Sequence, residues 1–220
     1  MEKHIFESSI LGRTAHADVS LGAQPLTHAF LLFGGSGIDE EEYLHRMETV
    51  NPIFHNLLDQ HPTRNFIFAY VCAPFDVPFR RFSENPELAE DWNKHVLEEL
   101  LKPWEALPVF VCGFSGGNAL AFNGIQADPK CFGGACLGGD SLPRDFTMPQ
   151  EWQEPLKIYS AINDDVANHP ANREIADYLA ESGMAEQYLL RSGRHRLIDY
   201  VTPECIGRLF SQASALAEGY

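Results

Sequence analysis

Short apolar runs alternate with amphipathic stretches along most of the chain. HAFLLF (28–33), FIFAYV (66–71) and VFVCGF (109–114) are apolar at nearly every position, with no alternation of polar and apolar residues. Such runs predict strands buried on both faces. FGGACLGG (132–139), LKIYSAI (156–162) and QYLLRS (187–192) continue the series. Two earlier runs, 4–10 and 14–21, lie close together and predict a leading hairpin or pair of strands.

Helix signals fill the gaps. Asp39 is placed to cap a helix whose first turn holds Glu40, Glu41 and Glu42, where negative charge complements the helix dipole. Leu44, Met47 and Val50 give that helix an apolar edge. Asn51 and Pro52 read as the start of a second helix. Asn85 and Pro86 open another, with Leu88, Trp92, Val96 and Leu100 at four-residue spacing. Further helices are expected from about Asn172 to Ser182, stopped by Gly183, and from Thr202 and Pro203 to about Glu218. Buried strands separated by helices predict an α/β fold: a mostly parallel central sheet with helices on both faces, forming a single domain over 1–220.

Composition narrows the function classes. The 220 residues are 45% hydrophobic, enough for a sizeable core. A net charge of -15 argues against nucleic acid and anionic lipid surfaces as partners. No run reaches the roughly 18 apolar residues of a membrane span. The opening MEKHIFESSI lacks the pattern of a signal peptide, so a cytoplasmic setting is expected. The five cysteines contain no CxxC pair, and the histidines contain no HExxH pair. Neither a disulfide framework nor a metal site is expected, and no cofactor motif is found. Gly35-Ser36-Gly37 lacks the third glycine of a dinucleotide fingerprint. Oligomeric state is left open.

One motif carries chemistry. Gly113-Phe114-Ser115-Gly116-Gly117 fits G-x-S-x-G, at the point where a buried strand gives way to a helix. A nucleophile on so sharp a turn needs positive φ, and small residues two positions to either side. The helix that follows aims its first amides at the serine, where they can stabilise a negative oxygen. Attack at neutral pH also needs a base and an acid to orient it, in the order Ser, Asp/Glu, His on loops after later strands. Asp164 and Asp165 follow one strand, and His195 follows the last. His169 lies only five residues past Asp164, which makes His195 the better base.

From HAFLLFGGSG (28–37) to the final helix, the chain resembles the α/β-hydrolases. Within them it is similar to the small carboxylesterase and acyl-protein thioesterase group. LLFGGSG resembles the loop after the third strand, with Phe33 in the usual histidine place. GFSGGNAL resembles the nucleophile elbow, with Gly116 where the thioesterases have glutamine and Asn118 where glycine or alanine is usual. AINDDVAN resembles the acid loop, with Ala161 in its glycine place. The resemblance implies a triad of Ser115, Asp164 and His195, with Asp165 as the alternative acid. It implies an oxyanion hole made by the backbone N–H groups of Gly116 and Gly35, with Ser36 next in line.

A large lid domain has little room in 140–155. Phe75 and Phe79 are candidates to line an acyl site, and Arg80 to contact an anionic group; simple packing of that loop is the competing role. The expected activity is hydrolysis of a carboxylic ester or thioester in a small-molecule or acylated substrate. A non-catalytic binding protein on the same fold, a serine peptidase and an acyltransferase are the alternatives.

Overall fold

The computed structural model describes residues 2–8, 13–22, 24–34, 39–60, 65–72, 85–95, 100–104, 107–118, 120–121, 131–137, 158–161, 173, 177, 181, 185–188 and 194–217. The leading runs form β1 (Glu2–Ser8) and β2 (Arg13–Leu21), an antiparallel pair. Then come β3 (His28–Phe33), α1 (Glu40–Gln60), β4 (Phe66–Cys72) and α2 (Pro86–His95). The second half holds β5 (Val109–Phe114), β6 (Cys131–Leu137), β7 (Ile158–Ala161), β8 (Ala185–Tyr188), α3 (Leu197–Tyr200) and α4 (Pro203–Ala217). Among the described residues the strands make one eight-stranded sheet in the order β1-β2-β4-β3-β5-β6-β7-β8. Every pairing from β4 to β8 is parallel; only β1 with β2 and β2 with β4 are antiparallel.

All six residues of β3 and of β5 are buried, so both faces of the middle of the sheet are covered. One face carries Phe30, Phe68 and Phe110 against Phe54 of α1 and Phe210 of α4. Phe30 stacks on Phe110 at 5.2 Å and on Phe210 at 4.5 Å between ring centroids. Each fully buried side chain of this kind is worth about 1.5–3 kcal/mol. The small residues of β6 answer the large ones of β5. A Cβ on Gly133 would lie 2.7 Å from the Phe110 ring, so glycine is what leaves room for that ring.

The helix caps fall where the sequence places them. Asp39 Oδ1 accepts the Glu42 N–H at 2.8 Å, Asn85 Oδ1 that of Leu88 at 3.2 Å, and Thr202 Oγ1 that of Cys205 at 3.1 Å. Pro52 does not start a second helix: α1 runs straight through it. An interior proline costs about 3 kcal/mol. Tyr43, Met47, Val50 and Phe54, buried at helical spacing on either side of Pro52, outweigh that cost. The last strand begins at Ala185, two residues before the expected start, and 189–192 lie outside the described residues. Of the helix expected over 172–182, the described residues Arg173, Asp177 and Glu181 are helical. No helix among the described residues is long and apolar enough to cross a membrane.

Candidate active site

Strand β5 lies between β3 and β6, and its C-terminal end delivers Ser115. Open α/β sheets place their ligands outside that end of the strands. Ser115 has φ 50, the one positive value among the described non-glycine residues. A left-handed conformation costs a residue with a Cβ about 1–2 kcal/mol. Its surroundings hold it there. The Ser115 N–H donates to the Leu137 carbonyl of β6 at 3.0 Å, and the Asn118 N–H donates to the Ser115 carbonyl at 2.9 Å.

Both flanking glycines are required by close approach. A Cβ on Gly113 would lie 2.4 Å from Asn118 Cα, because the helical turn beginning at 117 folds back onto the strand. A Cβ on Gly117 would lie 2.1 Å from the Phe33 carbonyl oxygen and 2.7 Å from that of Gly34. The elbow therefore rests on the segment that leaves β3. Gly34 is itself pinned, its N–H donating to the Val71 carbonyl at 2.8 Å. Gly116 is buried, directly after Ser115.

His195 follows β8 and precedes α3. Its Nε2 lies 2.8 Å from Ser115 Oγ. With the hydroxyl donating, Nε2 accepts and the ring proton sits on Nδ1, the tautomer a general base needs. The imidazole stacks on Phe114, with centroids 5.2 Å apart and 28° between the planes, and Tyr200 of α3 packs on the same Phe114. Asp199 closes the His195 loop on its exposed side. It accepts the Arg194 N–H at 2.9 Å and both Nε and Nη2 of Arg196, at 3.0 and 2.8 Å. The Arg196 guanidinium, helped by the Arg194 N–H, holds the Asp199 carboxyl below its ordinary value.

Three contributors escaped the sequence reading. Phe114 occupied the unspecified place of the motif, Asn118 was noted only as an unusual residue, and Asp199 belongs to a four-residue helix with no periodicity to announce it. An acid three residues after Arg196 was the available signal.

Ser115 and His195 thus come together, with Gly116 buried next to Ser115 in the chain. Asp164 and Asp165 lie outside the described residues, as do Gly35, Ser36, Phe75, Phe79 and Arg80. What precedes two of them is visible: β7 ends at Ala161, shortly before Asp164, and Gly34 leads to Gly35. Cys112 and Cys205 are both buried, and burial pushes the Cys205 thiol up to about 12. That thiol is no competing nucleophile. A shallow groove of about 480 Å³ lined by Pro25, Leu26, Lys102 and Trp104 lies beyond the N-terminal ends of β3 and β5. A strand of six residues is about 20 Å long, so the groove stands far from Ser115.

Neither a protein-family model nor a curated protein sequence matches the chain. Solved structures match it in fold. Esterase PE8 superposes with a TM-score of 0.62 at 13% identity, covering 91% of this chain and 98% of that one. A lipase in its open form gives 0.61 at 12%, covering 99% and 98%. An alpha-beta serine hydrolase homologue from Coxiella burnetii gives 0.56 at 13%, covering 99% and 96%. Strand order, elbow and structural likeness agree: this chain has the α/β-hydrolase fold.

Proposed function

We propose that the protein is a serine hydrolase that cleaves a carboxylic ester or thioester through an acyl-enzyme on Ser115, with residues 1–220 acting as one domain. The observation that carries this reading is the 2.8 Å contact between Ser115 Oγ and His195 Nε2, made by a serine held at φ 50. The structural likeness to an esterase and a lipase is in keeping with it.

In the proposed reaction Ser115 Oγ attacks the substrate carbonyl while its proton passes to His195 Nε2. Asp164 accepts the Nδ1–H, fixing the tautomer and stabilising the imidazolium. The N–H groups of Gly116 and Gly35 receive the negative oxygen; one such donor contributes about 3–4 kcal/mol. The imidazolium returns its proton to the departing alcohol or thiol. Water, activated by the same imidazole, then releases the acid. Phe75 and Phe79 are assigned to the acyl wall, and Arg80 to an anionic substrate group.

A fluorophosphonate probe tests the reading. The folded wild type is expected to label at one site, and Ser115→Ala to abolish labelling. A folded wild type that stays unlabelled rules the hydrolase out, and label that persists in Ser115→Ala moves the nucleophile elsewhere. p-Nitrophenyl esters and the matching thioesters of graded acyl length then rank the substrate class.

A further inference from the structure

Asn118 is wholly buried, at 0% exposure, in the first helical turn after Ser115. Its side-chain Nδ2 donates to the Leu137 carbonyl at 3.2 Å. The same carbonyl receives the Ser115 N–H at 3.0 Å. Leu137 is the last residue of β6, the strand paired with β5. One oxygen on the neighbouring strand thus holds both the left-handed serine and the turn behind it. The Asn118 N–H, bonded to the Ser115 carbonyl at 2.9 Å, completes the loop of contacts. Its Cα lies where a Cβ on Gly113 would come within 2.4 Å, so it also abuts β5. A buried amide is costly unless bonded, whereas an apolar residue would fill this place without that liability. What an amide adds is direction: it ties the turn to one atom of β6 rather than to a surface.

We infer that Asn118 is a positioning residue for the nucleophile. Its amide locks the elbow to β6, which keeps Ser115 in its left-handed conformation with Oγ on His195 Nε2. It acts through Ser115 and touches no substrate. The inference rests on the serine-hydrolase reading and goes beyond it.

The test uses the full chain with Asn118→Ala and Asn118→Ser. A fluorophosphonate titration gives two readouts: its end point counts folded sites, and its rate per site reports positioning. Turnover of a p-nitrophenyl ester separates kcat from KM. Asn118→Ala is expected to label to the same end point as wild type but more slowly. Its kcat per labelled site should fall roughly ten- to a hundredfold, with KM within about twofold, as for a misplaced reacting group. Where Asn118→Ala lowers the end point by unfolding, Asn118→Ser is read by the same rate per labelled site. Wild-type kcat per labelled site in these variants, or a loss confined to KM, overturns the positioning role and leaves the hydrolase reading standing. A wild type that does not label at all overturns both.

Discussion

The ring of Phe114 lies under the imidazole of His195, tilted by 28° at 5.2 Å, while the next residue along the chain, Ser115, meets the same imidazole at Nε2. The proposed nucleophile and the seat of the proposed base are therefore neighbours on one strand end. Phe114→Leu keeps the burial but removes the flat support. We expect a stability loss of about 1–2 kcal/mol and a fall in kcat of roughly tenfold, with KM little changed. Steady-state kinetics beside thermal melting check this. An unchanged kcat would show that the stack has no part in orienting the base.

In the proposed mechanism the triad acid is Asp164. Asp164→Asn is expected to lower kcat by about four orders of magnitude, since an acid that holds the base's tautomer is worth about that much in a well-studied triad. Asp165→Asn should stay within tenfold of wild type. The reverse pattern in the two variants would transfer the role to Asp165.

Gly117→Ala should be severe. The added methyl would fall 2.1 Å from the Phe33 carbonyl oxygen, a backbone atom that cannot swing aside. We expect a loss of about 3 kcal/mol or more, read from the urea midpoint. A variant as stable as wild type would mean that the elbow and β3 separate more easily than their packing indicates.

Asp199 grips the chain on both sides of His195. Its carboxyl titrates below the ordinary value of 3.8, chiefly through the hydrogen bond from Arg196. A depressed carboxyl contributes stability above its unfolded pKa and loses it as pH falls through the folded one. The Tm gap between wild type and Asp199→Asn should therefore be present at neutral pH and close as the solution is acidified below about 4. It should be small, because the Arg196 side chain is 55% exposed and solvent screens the pair. A gap that widens on acidification would contradict the pairing.

Much of this architecture was legible because its strands are apolar on both faces. Phe30, Leu31 and Leu32 leave no other place for themselves than a covered parallel sheet. The elbow was legible for a related reason: Gly113 and Gly117 mark a close approach that few other features demand. Pro52 misled, because a local rule was overridden by a stripe of buried residues that only the tertiary packing reveals. The Asp199 clamp and the Leu137 carbonyl that serves both Ser115 and Asn118 were not legible. The Leu137 carbonyl depends on where separate segments meet, which no local pattern encodes, whereas the Asp199 clamp spans only 194–199 and sits in a four-residue helix too short to show periodicity.

Ser115 and His195 stand 80 residues apart in the chain. During synthesis Ser115 leaves the ribosome before His195, and the segment carrying His195 must fold onto the sheet before the two can meet. A nascent or truncated chain ending before His195 carries a serine with no partner to take its proton. Under the proposed mechanism, the order of the chain thus delays attack on acyl groups until His195 has joined the fold.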